Sequence, residues 1–143
     1  MSNTPFRWPI RVQFVDTDAS QRIHYTAMFR YFEMAEAEFM RHLDLSYGHI
    51  QNRIIAYPRV HVECDFLGSV TYDELIGVEV TVERVGTSSF TLHFQVTKDK
   101  TAVARGRIVV AAMDRNTQRA RPLPPELAEP LRQQMQIEET AHA

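Results

Sequence analysis

Two periodicities divide the chain. From residue 60 onward apolar and polar residues alternate with period two. Val60, Val62, Cys64 and Phe66 interleave with Arg59, His61, Glu63 and Asp65, and Gly68-Ser69 ends the run. Ile76, Val78, Val80 and Val82 then alternate with Gly77, Glu79, Thr81 and Glu83, up to Gly86-Thr87-Ser88-Ser89. Phe90, Leu92, Phe94 and Val96 repeat the pattern as far as Lys98-Asp99-Lys100, and a last run covers residues 102–113. Such alternation is that of half-buried strands, and short links between them predict hairpins and an antiparallel meander. Before this region the period is helical. Met28, Phe32, Ala35, Phe39 and Leu43 step by three or four and form one stripe, with Glu36 and Arg41 largely off it. Arg41-His42 near the end of this segment suits the helix dipole. Residues 6–15 read as a first strand, with Trp8-Pro9 near its start, and residues 126–136 as a short C-terminal helix after Pro122 to Pro125.

The order is strand, long helix, then four strands. One apolar helix face and one apolar sheet face must bury each other. The expectation is therefore a single α+β domain over residues 1–143, its antiparallel sheet wrapped around one central helix. Between first strand and helix lies Asp16-Thr17-Asp18-Ala19. A carboxylate in a turn feeding a helix sits beside free backbone N–H groups and the positive end of the dipole, which joins a base or nucleophile to an oxyanion binder. The simpler role for such an Asp is helix capping, but Asp18 lies several residues upstream of the periodic segment, too far for a simple N-cap. Asp16 reads as the structural member, accepting turn hydrogen bonds that hold Asp18 in place.

Composition narrows the chemistry. A formal net charge of −2 over 143 residues gives no global attraction to nucleic acid or anionic membrane. The single Cys64 allows no intramolecular disulfide, and its place in an alternating run makes it a buried strand residue rather than a nucleophile. The six His residues show no metal-ligand spacing, so no metal is expected. The first residues lack the apolar segment of a signal peptide, and no run approaches the ~20 apolar residues of a membrane span, so the expected location is cytoplasmic.

The turn and the helix entry, Val12-Gln13-Phe14-Val15-Asp16-Thr17-Asp18-Ala19, Ile23-His24-Tyr25 and Met28-Phe29-Arg30-Tyr31-Phe32-Glu33, resemble the hotdog-fold thioesterases. The nearest resemblance is to the 4-hydroxybenzoyl-CoA thioesterase-like group, which includes the acyl-CoA thioesterases associated with the Tol–Pal system. The strand order and the position of Asp73 agree with it. The resemblance implies that Asp18 carries thioester cleavage, as nucleophile or general base, and that the backbone amide of Tyr25 polarises the carbonyl. It implies an acyl-CoA or acyl-carrier-protein substrate, no cofactor, and a homodimer or homotetramer with the site at a subunit interface. Substrate-binding candidates are His24, Glu33 and the turn Thr87-Ser88-Ser89. For His24 the competing role is packing at the helix start. Glu33 lies on the helix where another hotdog subgroup places its catalytic carboxylate, and here reads as an inter-subunit or pocket-wall group. Relatives carry Gly in the turn where this chain has Ser20-Gln21-Arg22, so either the turn is wider or Gln21 holds a strained conformation. A hotdog dehydratase would need a His-and-carboxylate motif that is not seen. The alternative from another class is a non-catalytic acyl-thioester-binding or scaffold protein.

Overall fold

The computed structural model describes residues 5–45 and 54–141. Strand β1 (Phe6–Arg11) leads through a 3-10 turn (Phe14–Asp16) to the helix α1 (Tyr25–His42). Then come β2 (Ile55–Ala56), β3 (Arg59–Phe66), β4 (Leu75–Val85), β5 (Ser89–Lys98), β6 (Thr101–Ala111), β7 (Met113–Asp114) and α2 (Pro125–Ala141). Five strands form one antiparallel sheet in the order β1-β4-β5-β6-β3, and β2 pairs separately with β7.

The helix lies on one face of this sheet. Residues Val78, Val80, Val82, Leu92 and Phe94 are buried, as are Met28, Phe32, Ala35 and Phe39 of the helical stripe, while Leu43 is partly buried. Phe32 stacks on Phe94 with ring centroids 4.6 Å apart. Gly106 pairs with Phe94 across β5 and β6, and a Cβ there would meet the Phe32 ring at 2.5 Å. The helix can approach this closely only because residue 106 has no side chain. At the far end of the helix Phe6 packs edge-on against Phe39, centroids 5.5 Å apart.

Four sequence expectations need correction. The alternation over residues 11–15 is not strand: β1 stops at Arg11, and the chain bends because the Asp16 carboxylate accepts the Gln13 amide (3.2 Å). Phe14 and Val15 are consequently exposed. The meander holds for β4, β5 and β6, but β3 pairs with β6 at the opposite edge. The connecting segment, residues 67–74, crosses the sheet end, tied to Val103 by the Leu67 and Gly68 amides and to Lys98 through Ser69 and Glu74.

The third correction concerns β3 itself. Val62, Cys64 and Phe66 share the face of Ile108, Gly106 and Ala104, but α1 does not extend over this edge. Val60, Val62 and Phe66 are exposed and Cys64 is only half-buried. Burial still pushes the Cys64 thiol up to about 11, so it stays protonated and unreactive at neutral pH. The fourth concerns Glu36, which is 2% exposed and ion-paired with Arg59, a residue that also donates to the Tyr57 carbonyl. This pair ties α1 to β3. On the other sheet face, His61 is exposed and pairs with Glu63, while His93 is half-buried, which lowers its pKa.

Phe39 tests the helix–sheet contact. With a fully buried ring, Phe39→Ala should destabilise the fold by about 3–5 kcal/mol in urea denaturation; a loss of a few tenths would mean that this helix face does not hold the core.

Candidate active site

The site residues sit on a small hairpin that turns β1 into α1. Its rungs are the His24 amide donating to the Asp16 carbonyl (2.7 Å), the bridge between Thr17 and Ile23, and the Asp18 amide donating to the Arg22 carbonyl (3.0 Å). The Gln21 amide closes the loop onto the Asp18 carbonyl (3.0 Å). The Ile23 amide and the bridge from Arg22 to Thr71 fasten the hairpin to the segment leading into β4. Asp73, in that segment, has φ 70° and hydrogen-bonds Val12 through its amide.

Gln21 has φ 69°. This is the left-handed conformation that glycine adopts freely and other residues adopt at a cost. The strained alternative drawn from the missing glycines is therefore the one realised, in a turn of ordinary size.

Asp18 is exposed at the hairpin tip. Its Oδ1 accepts from the Ser20 hydroxyl (2.5 Å) and the Ser20 amide (2.7 Å). These two bonds, the hydroxyl first, hold its carboxyl below the usual carboxylate range, so it is ionised at neutral pH. Asp16 is the opposite case: it is 3% exposed. Burial pushes its carboxyl up, but hydrogen bonds from Arg30, Tyr31 and the Gln13 amide outweigh that and bring it below the usual range. The Tyr31 hydroxyl lies 2.8 Å from Oδ2, and Arg30 forms an ion pair with Oδ1.

At the helix start, His24 is the N-cap. Its Nδ1 accepts the Thr26 amide (3.2 Å) and lies 2.7 Å from the Thr26 hydroxyl. Accepting at Nδ1 requires the ring proton on Nε2. His24 is thus engaged in the capping role weighed against substrate binding, with its ring stacked on that of Tyr25. The Ala27 amide donates to the His24 carbonyl (2.8 Å). The Tyr25 amide, at the first helical position, has no hydrogen-bond acceptor among the described residues, and the dipole makes it a donor for developing negative charge.

The other candidates lie apart from Asp18. Glu33 is exposed on α1. Thr87-Ser88-Ser89 connects β4 to β5 at the opposite end of the sheet, because β4 begins beside Arg11 and ends beside Phe90. The Thr87 and Ser88 carbonyls accept the Leu123 and Ala112 amides there. A strand of 11 residues separates the two ends, about 33 Å or more, so one chain does not unite them. Three contributors were missed. Ser20 was legible in the Asp18-x-Ser20 spacing, which favours a side-chain-to-amide turn. Arg30 and Tyr31, the partners of Asp16, were not, because nothing local links residue 16 to residues 30 and 31. No group of three or more metal-ligating side chains occurs among the described residues.

Comparison with known proteins gives a consistent assignment. A profile described as the thioesterase-like superfamily matches residues 12–131. The chain is 30% identical over 122 residues to the 1,4-dihydroxy-2-naphthoyl-CoA hydrolase of Synechococcus sp. strain WH7803, covering 80% of this chain and 80% of that protein. It is 24% identical over 125 residues to the acyl-CoA thioester hydrolase YbgC of Escherichia coli, covering 87% and 93%. A crystal structure of a hypothetical protein from Aquifex aeolicus aligns with TM-score 0.83 at 28% identity, over 89% of this chain and 99% of the other.

The strained turn position offers its own test. Gln21→Gly should raise stability by about 1 kcal/mol, the scale of the left-handed penalty it relieves; an unchanged or lower denaturation midpoint would mean that Gln21 makes compensating contacts.

Proposed function

The chain belongs to the thioesterase-like superfamily, with a hotdog fold, and on that premise we propose that it is an acyl-CoA thioesterase whose reaction is driven by Asp18. The observation that supports this most directly is that one short hairpin carries an ionised carboxylate, Asp18, and leads directly into a helix N-terminal amide, that of Tyr25, which no described group occupies. The thioester carbonyl oxygen accepts the Tyr25 N–H, which stabilises the negative charge it gains in the transition state. Asp18 either attacks the carbonyl carbon, expelling the CoA thiolate and leaving a mixed anhydride for water to hydrolyse, or removes a proton from water as that water attacks. Its low pKa keeps it ready for either role across the neutral range. Relatives named as acyl-CoA and 1,4-dihydroxy-2-naphthoyl-CoA hydrolases support a CoA thioester as the substrate class. An acyl-carrier-protein thioester would present the same reacting group.

The reading extends to assembly and location. Among the described residues, β3 is an edge strand of the sheet, with exposed Val62 and Phe66 on its helix-side face, next to exposed Leu67. Joining two such edges antiparallel in a homodimer, alone or within a tetramer, removes the open edge. It also reverses the partner's strands, so the partner's Thr87-Ser88-Ser89 end faces the Asp18 end of this chain. That arrangement supports roles for Thr87, Ser88, Ser89 and Glu33 in a shared site, and for His24 as the residue next to the Tyr25 amide. CoA thioesters are cytoplasmic metabolites, and the cytoplasm is the location this reading carries with it.

Free-thiol release from a panel of short, long, branched and aromatic acyl-CoAs tests the activity and identifies the acyl group. On the best substrate, Asp18→Asn should lower turnover by a factor on the order of 10² or more with little change in KM. Tyr25→Phe should be nearly silent, since only the backbone amide is used. Near wild-type thiol release by Asp18→Asn would overturn the reading and favour a binding or scaffold role.

The pH profile gives a second check. The acid limb of kcat/KM should lie below that of an ordinary carboxylate, because the Ser20 hydroxyl and amide hold the Asp18 carboxyl below its usual range. Ser20→Ala removes the largest cause of that shift, so the limb should move to higher pH; an unmoved limb would assign it to another group.

A further inference from the structure

Asp16 is bonded more heavily than any other side chain of the hairpin, yet the reaction above does not use it. Its Oδ1 takes the guanidinium of Arg30, and its Oδ2 takes the Tyr31 hydroxyl (2.8 Å) and the Gln13 amide (3.2 Å). Its backbone carbonyl takes the His24 amide (2.7 Å). The side chain is therefore clamped to the second turn of α1, and the carbonyl is clamped to the residue preceding that helix. Asp18 follows two residues after Asp16, and the Tyr25 amide one residue after His24. A single residue thus sets where both reacting groups stand relative to each other.

The clamp exceeds what the fold asks of it. Turning the chain out of β1 needs only two bonds between Gln13 and Asp16: the Asp16 amide on the Gln13 carbonyl (3.0 Å), which makes the 3-10 turn, and the Gln13 amide on the Asp16 carboxylate, which caps it. Arg30 adds little burial, since more than half of its side chain is in solvent. Tyr31 is buried with its hydroxyl directed onto Asp16. Burial and the neighbouring carboxylate both raise the Tyr31 pKa, so the phenol remains a donor throughout the working range. Rigid support of this kind matters most to groups whose geometry must be held within a fraction of an ångström.

We propose that the Arg30–Asp16–Tyr31 cluster is a positioning device for thioester cleavage, with Asp16 acting through Asp18 and the Tyr25 amide rather than touching substrate. This rests on Asp18 and the Tyr25 amide being the reacting groups.

The experiment measures kcat and KM on the best acyl-CoA for Asp16→Asn, Arg30→Ala, Arg30→Lys and the double variant Asp16→Asn/Arg30→Ala, each shown by circular dichroism to be fully folded at the assay temperature. Asp18→Asn is the control. Asp16→Asn should lower kcat by a factor on the order of 10 to 10², with KM within about threefold, the signature of a misplaced reacting group. Arg30→Ala should lower kcat by a factor on the order of 10, and Arg30→Lys, which keeps the charge, should recover most of it. Residues that act as one unit do not multiply their effects, so the double variant should be no slower than the worse single one. A folded Asp16→Asn or Arg30→Ala with wild-type kcat, multiplicative losses in the double variant, or losses confined to KM would overturn the proposal while leaving Asp18 in its role. An active Asp18→Asn would instead remove the premise, and the proposal with it. Should Asp16→Asn fail to fold, the largely solvent-exposed Arg30 and its rescue by Lys decide the matter alone.

Discussion

The depth at which a helix can settle into a sheet is fixed by what lies beneath it, and here that is a glycine. Phe32 lies flat on Phe94 and over the backbone of Gly106. Any side chain at 106 would lift α1 away from the strands, and Met28, Ala35 and Phe39 would lose their contacts together. The helix is long, 18 residues, but its packing is anchored by one aromatic ring against one bare stretch of backbone. Close packing of this kind makes the core sensitive to changes of a single methyl group.

The reactive end of the molecule inherits its geometry from that contact. Once α1 is seated, its N-terminus has a defined position, and the hairpin of residues 16–24 must span from β1 to that point. The rungs onto Asp16, Thr17 and Asp18 accomplish this with backbone bonds alone. His24 then caps Thr26, which consumes one of the free helix amides and leaves that of Tyr25. The left-handed Gln21 is the cost of closing the tip where glycine would close it without strain.

Much of this architecture was legible in the sequence. Helical and strand periods follow from burial on one face, and every long element appears within a few residues of its expected position. What escaped was whatever depends on neighbours distant in the chain. Period two announces an apolar face on β3 but not that α1 stops short of covering it. The same pattern over residues 11–15 imitated a strand until the Asp16 carboxylate, an ordinary polar residue in sequence, captured the Gln13 amide. Glu36 lies off the apolar stripe in sequence, yet it is buried, and its ion pair with Arg59, 23 residues on, helps to make that burial tolerable. At the site, Asp18 and the Tyr25 amide could be read from local order, whereas Arg30 and Tyr31 are partners of Asp16 only after the helix has folded back.

The two edges of the sheet are unlike, and this asymmetry limits how the molecule can grow. The β1 edge contains Pro9, which offers no N–H, and is flanked by Arg7 and Arg11, both exposed. The β3 edge has no proline and carries apolar residues on one face. A sheet with two receptive edges could add copies head to tail without end, as fibrils do. With one receptive edge, a strand that pairs does so with its own counterpart, and the contact is consumed in a closed pair. The single proline in this six-residue strand thus removes a backbone donor from the edge that lies farthest across the sheet from β3, and leaves the two edges chemically unlike.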